Sequence, residues 1–181
     1  MAAPPTKTIY DLDGRWSLNK GLSDNLDSVM RLQGLSWLSR KAVNAAQITT
    51  QITLAGRGPS ATLTLANTAN FNIKGTTEVR TLDWEWRDFK DYIWGAFQDR
   101  SRHVHKKNLA PTVSSGEWLE SLQGDDATLI ESEVRASDGA WTNRMLWGFK
   151  VFGSERFLIR HMEVRRGRES AHAVLVYDYC L

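Results

Sequence analysis

Seven side chains on strand-like segments have the types needed for chemistry inside an apolar pocket. They are Tyr92, Arg102, Asn143, Arg160, His161, Tyr177 and Tyr179. In such a pocket a few hydrogen-bonding groups orient a bound molecule and stabilise a carbonyl that gains electron density in a transition state. The candidate catalytic residues are Tyr177, His161, Asn143 and Arg102. For every one of the seven, a place on the rim or the outer surface is the alternative.

Arg160 and His161 are neighbours on one predicted strand, so their side chains point to opposite faces. We favour His161 as the interior residue, because its face also carries Phe157 and Ile159. Arg160 is then expected to face outward.

Aromatic residues are the second group of candidates. The chain has 181 residues and contains 8 Trp, and tryptophan provides a large flat apolar surface with one N–H donor. An excess of tryptophan suits a pocket for aromatic or polyene molecules, although several of the rings could simply fill the core. The candidate substrate-binding residues are Trp37, Trp84, Tyr92, Trp94, Trp147, Phe149, Phe157 and Tyr179.

Other kinds of catalytic site find little support in the sequence. His103 and His105 share a strand face, but no third metal ligand is evident. The single cysteine, Cys180, lies next to the last residue, and the sequence has neither a Gly-x-Ser-x-Gly motif nor a glycine-rich phosphate loop. We therefore expect no metal and no cofactor.

Composition narrows the class of protein. Hydrophobic residues make up 41% and charged residues 24% of the chain, which is typical of a globular domain. The length favours one domain over residues 1–181. With a net charge of +2 the chain lacks the strong basic bias of a nucleic-acid-binding protein. The basic clusters at 103–107 and 165–168 are interpreted as strand ends or turns that face water.

The N-terminal segment has no secretory features. Residues 1–10 contain two prolines and no long apolar run, and we expect them to be flexible. No segment has the apolar length of a membrane span, so stable membrane insertion is not expected. The absence of a disulfide framework favours a reducing compartment. These observations predict a cytoplasmic protein.

Evenly spaced turn glycines organise the second half of the chain. Gly124, Gly139, Gly153 and Gly167 are separated by about 14 residues, and glycine accepts the positive φ of tight hairpin turns. Strands are predicted at 128–135, 141–152, 156–165 and 170–179, and in the first half at 12–18, 47–54, 61–65, 71–86 with an irregularity, and 92–104. Successive hairpins build an antiparallel meander, which predicts an all-β, up-and-down β-barrel.

Two other segments interrupt the strands. Residues 24–46 show helical periodicity, with Asp24 as a helix cap, a break at Gly34 and an apolar stripe that begins at Trp37. We expect this helix-turn-helix to cover the open end of the barrel. Residues 106–116 are predicted to be a longer loop, which Trp118 and Leu119 pack against the barrel.

Residues 29–45, Val-Met-Arg-Leu-Gln-Gly-Leu-Ser-Trp-Leu-Ser-Arg-Lys-Ala-Val-Asn-Ala, resemble the helical lid of intracellular fatty-acid-binding proteins. Gly14-Arg15-Trp16 is similar to their opening strand and to the Gly-x-Trp of lipocalins, and Val174 to Tyr177 resembles their closing strand. The resemblance implies a calycin barrel with a hydrophobic small-molecule ligand. The carboxylate-binding Arg-x-Tyr of that family stands here as Leu175-Val176-Tyr177, which favours a less anionic ligand.

Residues 75–84, Gly-Thr-Thr-Glu-Val-Arg-Thr-Leu-Asp-Trp, look like a segment of small fungal lipocalin-like proteins. That group includes pericyclases, among them hetero-Diels–Alderases of tropolonic sesquiterpene biosynthesis. The resemblance implies an enzyme that promotes cyclisation or cycloaddition of an aromatic or terpenoid molecule by shape and hydrogen bonding. The alternative is a non-catalytic intracellular carrier of the fatty-acid-binding type.

Overall fold

Ten strands and three short helices make up most of the chain. The structure is a computed structural model that describes residues 1–70, 73–110, 116–122 and 124–181. The strands are β1 (Gly14–Leu18), β2 (Thr49–Ala55), β3 (Thr62–Ala69), β4 (Ile73–Thr81), β5 (Arg87–Asp91), β6 (Gly95–His105), β7 (Thr128–Ala136), β8 (Thr142–Phe152), β9 (Glu155–Arg166) and β10 (Glu169–Cys180). The helices are α1 (Asp27–Leu32), α2 (Trp37–Ala45) and α3 (Gly116–Ser121).

The strands form one antiparallel sheet that curls into a nearly closed barrel. Its order is β4-β3-β2-β1-β10-β9-β8-β7-β6-β5, so strands pair with their sequence neighbours except at β4 and β5, which are the two edges of the sheet. The first and last strands of the chain also pair, and Trp16 of β1 lies opposite Tyr179 of β10. The predicted up-and-down β-barrel is confirmed.

The predicted turn glycines make the hairpins of the second half. Gly139, Gly153 and Gly167 have φ of 73°, 63° and 59°, the left-handed region that residues with a Cβ rarely adopt. The irregularity predicted within 71–86 is a break between two strands. β4 ends at Thr81, Trp84 itself has a φ of 66°, and a separate strand, β5, begins at Arg87. Part of that prediction, residues 71 and 72, lies outside the described residues.

Part of the outer face of β8, β9 and β10 is apolar as well as the inner face, and α3 covers it. Trp118 of α3 is buried, and its ring stacks on His161 at 5.1 Å between centroids. Gly148 leaves the space for this ring, since a Cβ at that position would lie 2.9 Å from Trp118 and 2.5 Å from Leu129. The predicted packing of Trp118 against the barrel is confirmed. Within the loop predicted at 106–116, residues 111–115 lie outside the described residues.

The N-terminal segment, residues 1–10, contacts the barrel. Ala3 and Ile9 are buried, and the Ala3 N–H donates to the carbonyl of Arg156 at 2.6 Å. The Tyr179 N–H donates to the carbonyl of Met1 at 2.8 Å. These bonds tie the segment to β9 and β10, next to the closed end of the barrel.

The two lid helices lie between β1 and β2, within the predicted range 24–46. Ser36 caps α2 by accepting a hydrogen bond from the Ser39 N–H at 3.1 Å. The prediction that Asp24 caps the first helix is wrong, because its carboxylate instead accepts from the Val174 N–H of β10 at 2.8 Å. Asp24 thus fastens the lid to the sheet. In the part of the chain that the structure describes, no helix is long and apolar enough to cross a membrane.

Candidate functional site

A cavity of about 310 Å³ lies between the lid helices and the interior face of the barrel. Its walls are mostly apolar. They include Leu18, Met30, Ile48, Leu65, Met162 and Leu175. Because β-strand side chains alternate between faces, Arg160 and Met162 of β9, two residues apart, both face this space.

Each of the two lid helices turns one side toward the cavity. Val29 and Leu32 of α1 pack on Val164 and Ala173 of the sheet, which anchors the helix. α2 turns its small residues Ala42, Val43 and Ala46 toward the cavity. Its first two residues, Trp37 and Leu38, point to solvent and are 62% and 71% exposed.

Trp37, a predicted substrate-binding residue, is therefore on the outside of the lid. Its ring lies 5.9 Å from the Lys41 ammonium group, one helical turn later. Of the predicted apolar stripe, Ala42 and Ala46 line the cavity, whereas Trp37 and Leu38 lie on the solvent side.

The turn between β5 and β6 forms the rim of the cavity. Tyr92, Ile93 and Trp94 all line it, and Tyr92 is 77% exposed. The Asp91 carboxylate holds the turn by accepting from the backbone N–H groups of Ile93 at 2.8 Å and Trp94 at 2.6 Å. Two predicted substrate-binding residues, Tyr92 and Trp94, thus meet at the mouth.

The side chains of Trp147, Tyr177 and Arg160 lie together on the wall of the cavity. Trp147 and Tyr177 stack with ring centroids 6.0 Å apart, and the Arg160 guanidinium carbon lies 4.7 Å from the Trp147 ring. Trp147 and Arg160 are cross-strand partners, and Arg160 is in turn opposite Leu175. A planar guanidinium stacks well on an aromatic face, which keeps its edge free for hydrogen bonds.

These three side chains offer hydrogen-bond donors to the cavity. Among the described residues, the buried Trp147 Nε1 and Arg160 Nε have no hydrogen-bond partner. Burial raises the pKa of the Tyr177 hydroxyl, although the nearby Arg160 charge opposes this effect. Tyr177 is therefore a neutral O–H donor at physiological pH.

A smaller chamber of about 80 Å³ adjoins the main cavity, and we call it the inner chamber. Gln33, Glu78, Trp94, Arg160 and Met162 line both spaces. The inner chamber adds Arg80 and the predicted catalytic residue Asn143.

A buried ion cluster supports the inner chamber. Arg80 contacts Glu78 at 2.5 Å and Asp99 at 2.6 Å. Burial alone would raise the pKa of the Glu78 carboxyl, but the charges of Arg80 and Arg160 hold it below its usual value. Burial raises the pKa of Asp99 despite the Arg80 charge. The two guanidinium groups and two carboxyl groups make the charge of this region close to balanced.

The interior position predicted for His161 is wrong. Arg160 lines the cavity, whereas His161 lies outside on Trp118. Phe157, a predicted substrate-binding residue, belongs to the same outer cluster. The reason is that α3 buries the outer face of β9, so an apolar face of this strand does not identify the interior. Burial lowers the pKa of His161 to about 4, which keeps the imidazole neutral at pH 7.

Arg102 and Trp84 also lie on the outer surface, away from the cavity. Arg102 donates to the Glu131 carboxylate at 2.7 Å, and its guanidinium carbon lies 4.0 Å from the Trp84 ring. Arg144 donates to the same carboxylate at 2.6 Å. The ion pairs across β6, β7 and β8 explain this placement, since neighbouring strands carry their charged residues on one face.

The last two predicted substrate-binding residues, Phe149 and Tyr179, fill the closed end of the barrel. Trp16 contacts both, with ring centroids 6.4 Å from Phe149 and 5.0 Å from Tyr179. Here aromatic side chains plug the core, which was the alternative stated for the tryptophans.

Four polar residues of the site were not predicted. Gln33, Glu78 and Arg80 were not considered, and Arg160 was assigned to the outside. A signal was present on β4, where Glu78 and Arg80 are two residues apart and share a face. An apolar residue such as Val79 between them suggests that Glu78 and Arg80 face outward. Val79 is itself on the outer surface, however, and is 43% exposed.

Comparison with known proteins gives two kinds of similarity. No protein-family model matches the chain. A protein of Mollisia scopiformis named "Probable pericyclase scpY" is 27% identical over 183 residues, which cover 98% of this chain and 94% of that protein. "Pericyclase pydY" of an Acremonium species is 25% identical over 182 residues, 99% of this chain and 97% of that protein.

Solved structures show similarity in fold. The fatty-acid-binding protein of Schistosoma mansoni in complex with arachidonic acid superposes with a TM-score of 0.59 at 16% identity, covering 97% of this chain and all of that one. Fatty-acid-binding protein 1 of Echinococcus granulosus has a TM-score of 0.58 at 14% identity, covering 94% of this chain and 98% of that one. The chain therefore shares the barrel fold of these two proteins, which agrees with the fold that the resemblance implied.

Proposed function

We propose that this protein is a pericyclase, which binds one bulky hydrophobic molecule in the main cavity and promotes its cyclisation or cycloaddition. The observation that carries the proposal is the side chain of Arg160, which lines the mostly apolar cavity and stacks on the Trp147 ring at 4.7 Å. The two relatives named as pericyclases, similar over almost the whole chain, support the same activity.

Shape and position would supply much of the rate enhancement. A pericyclic reaction redistributes π electrons into new σ bonds within the substrate, so no proton, leaving group or redox partner is required. Holding the reacting carbons near each other removes an entropic barrier, which in ideal cases contributes roughly 7 to 11 kcal/mol. The alanines of α2 and the aromatic ring of Trp94 would restrict the folding of a flexible chain.

Hydrogen bonding would supply the remaining rate enhancement. In a cycloaddition, a carbonyl conjugated to the reacting alkene gains electron density in the transition state. Arg160 and Tyr177 would donate to such an oxygen, and removal of one donor of this kind typically costs about 10²-fold in rate. Trp147 would hold Arg160 in place by stacking.

The test uses an alkyl-substituted 1,7,9-decatrien-3-one, which cyclises slowly by itself to octalone diastereomers. Binding is followed by quenching of tryptophan fluorescence, and the rate and diastereomer ratio by chromatography. We expect a faster reaction with an altered ratio. The proposal is overturned if the protein binds the trienone and leaves both the rate and the ratio unchanged.

A carrier function is the second candidate, and one observation favours it. Arg160 lies opposite Leu175 across β9 and β10, so it brings a guanidinium next to the position from which the expected carboxylate-binding arginine is missing. A carrier would bind dodecanoate through Arg160 and would have no effect on the trienone reaction.

A further inference from the structure

The solvent side of α2 carries the two largest apolar side chains of that helix. Trp37 is 62% exposed and Leu38 is 71% exposed, whereas the small residues Ala42 and Ala46 face the cavity. A surface helix ordinarily turns its large apolar residues toward the protein and its polar residues toward water. The reversed arrangement leaves an exposed apolar pair, Trp37 and Leu38, which we call the α2 tip.

A basic turn contacts the lid beside this tip. Arg166 ends β9, and its guanidinium donates to the carbonyl of Leu32, the last residue of α1, at 3.3 Å. The same guanidinium lies 3.6 Å from the position that a Cβ would take at Gly34, in the segment that joins α1 to α2. The basic cluster at 165–168 thus lies next to the start of α2 and is not simply a turn that faces water.

Other charged groups complete this region. The Lys41 ammonium group lies 5.9 Å from the Trp37 ring, and Arg31 of α1 pairs with Glu169 of β10 at 2.7 Å. Arg168 is exposed between β9 and β10. The remaining ions nearby are paired with each other, Arg40 with Asp27 and Arg165 with Glu163. Four cations and the single carboxylate of Glu169 therefore surround the tip, and we call these cations the basic border: Arg31, Lys41, Arg166 and Arg168.

Charge and shape select the partner for this surface. A second copy of the chain would place one basic border against another, and like charges repel. An anionic lipid surface is complementary to the border, and it also accepts apolar side chains without a preformed pocket. Tryptophan is enriched at the level of the lipid head groups, and clusters of Lys and Arg beside it are attracted to anionic lipids.

We propose that the α2 tip and the basic border dock this protein on the surface of an anionic membrane. Trp37 and Leu38 enter the boundary between head groups and acyl chains, and the cations contact the lipid phosphates. Docking is peripheral, because the apolar pair belongs to a helix of nine residues that lies on the barrel. The opposite side of α2 lines the cavity, so only this helix separates the lipid from the binding site. The inference does not depend on the reaction proposed above.

The first test measures sedimentation of the protein with lipid vesicles. The probes are vesicles of phosphatidylcholine alone and vesicles in which part of it is replaced by phosphatidylserine. We expect about tenfold tighter binding to the anionic vesicles at low ionic strength, and a smaller difference at high salt, because salt screens the charges. Equal binding to the two kinds of vesicle overturns the proposal and favours an acidic protein as the partner.

Variants of the apolar pair assign the binding to the α2 tip. Trp37→Gln and Leu38→Gln should each weaken binding to anionic vesicles about tenfold, because less apolar surface leaves water. Both side chains are exposed, so these variants are expected to fold. Val151→Gln is the matched control, since Val151 is 58% exposed next to the β8–β9 hairpin, at the other end of the barrel. Unchanged binding in both tip variants overturns the proposal.

Variants of the basic border test the charges in the same way. Lys41→Gln and Arg168→Gln should each weaken binding to anionic vesicles about fivefold, since a cation near such a surface contributes on this scale. Lys107→Gln is the control, because Lys107 is exposed just after β6, away from the lid. The border is rejected, and the proposal with it, if Lys41→Gln and Arg168→Gln bind as the control does.

Fluorescence shows whether Trp37 itself enters the lipid. Phosphatidylcholine brominated on its acyl chains quenches tryptophan at the depth of those chains. Added to the anionic vesicles, it should quench part of the wild-type fluorescence and clearly less of that of Trp37→Phe, which keeps an apolar ring but lacks this fluorophore. Equal quenching in the two proteins places Trp37 outside the lipid and overturns the proposal.

Light scattering separates a membrane from a second copy of the chain. We expect the same oligomeric state with and without the Trp37→Gln substitution. A wild-type dimer that this substitution dissociates assigns the surface to self-association and overturns the membrane proposal. No trienone is present in these experiments, so their failure leaves the proposed function unaffected.

Discussion

Arg160 and Trp147 are cross-strand partners on β9 and β8, and the guanidinium carbon of Arg160 lies 4.7 Å from the centre of the Trp147 ring. The described residues form no salt bridge with Arg160. A cation that is stacked but not paired, on the wall of an apolar cavity, favours a role in ligand binding over a role in stability.

Replacing Arg160 with methionine should separate these roles. We expect the trienone cyclisation rate to fall about 10²-fold, because a transition-state donor is lost. The midpoint of thermal unfolding should change little, because Arg160 is only half buried and forms none of the salt bridges among the described residues. Quenched reaction assays measure the cyclisation rate, and calorimetry measures the midpoint of thermal unfolding. Arg135→Met, on the outer surface, is the control. A lower midpoint with an unchanged rate would contradict the assignment.

Tyr177→Phe should lower the rate while keeping the stacked arrangement with Trp147, whose rings lie 6.0 Å apart. We expect a loss of about tenfold, smaller than for the charged Arg160 donor. Because burial raises the pKa of Tyr177, the hydroxyl stays protonated in the native protein. The wild-type rate should therefore be constant from pH 7 to pH 9. A rate that falls over this range would show that the tyrosine ionises.

His161 should make the protein less stable in mild acid. Its pKa is lowered from 6.5 to about 4 by burial, so the unfolded chain binds a proton more readily than the native protein does. The contribution of the neutral imidazole is complete above pH 6.5 and is lost as the pH falls toward 4. Urea unfolding at pH 7 and pH 5 measures the difference.

His161→Phe keeps an aromatic ring on Trp118 and cannot be protonated, so its loss of unfolding free energy between pH 7 and pH 5 should be smaller. Burial also lowers the pKa of His103, which leaves a residual dependence in the variant. Identical losses in the wild type and in His161→Phe would show that His161 titrates normally.

Gly148→Ala should destabilise the protein by about 1 to 3 kcal/mol through overpacking. The added Cβ would lie 2.5 Å from a Leu129 methyl group and 2.9 Å from the Trp118 ring. Gly21→Ala is the matched control, because its nearest neighbour would be 3.5 Å away. Urea unfolding compares the two variants. In a Trp118→Leu background, Gly148→Ala should lower the free energy of unfolding by less than it does in the wild type.

Local signals in the sequence were sufficient for the barrel. Gly139, Gly153 and Gly167 marked the hairpins because their backbone conformation is a property of the turn itself. Gly34 separated the two lid helices for the same reason, with a φ of 87°. The order of elements and the antiparallel meander followed from these local preferences.

The sequence predicted which side chains face the cavity only on strands whose other face is exposed to water. On β8 the alternation correctly turned Trp147 inward, away from Lys150. On β9 the same reasoning failed, since Phe157 and Ile159 pack beneath α3 on the outside. Arg160 looked like a surface residue, although it lines the cavity.

The sequence by itself determined the calycin-like barrel, its hairpins and its helical lid, because turn conformation and alternation act between residues close along the chain. The tertiary structure decided which side chains meet in the cavity. Arg160, Glu78, Arg80 and Asn143 come from β9, β4 and β8, and only closure of the barrel brings them to one chamber. Their burial depends on what covers each face, and α3 and the lid are distant in sequence from the strands that they cover.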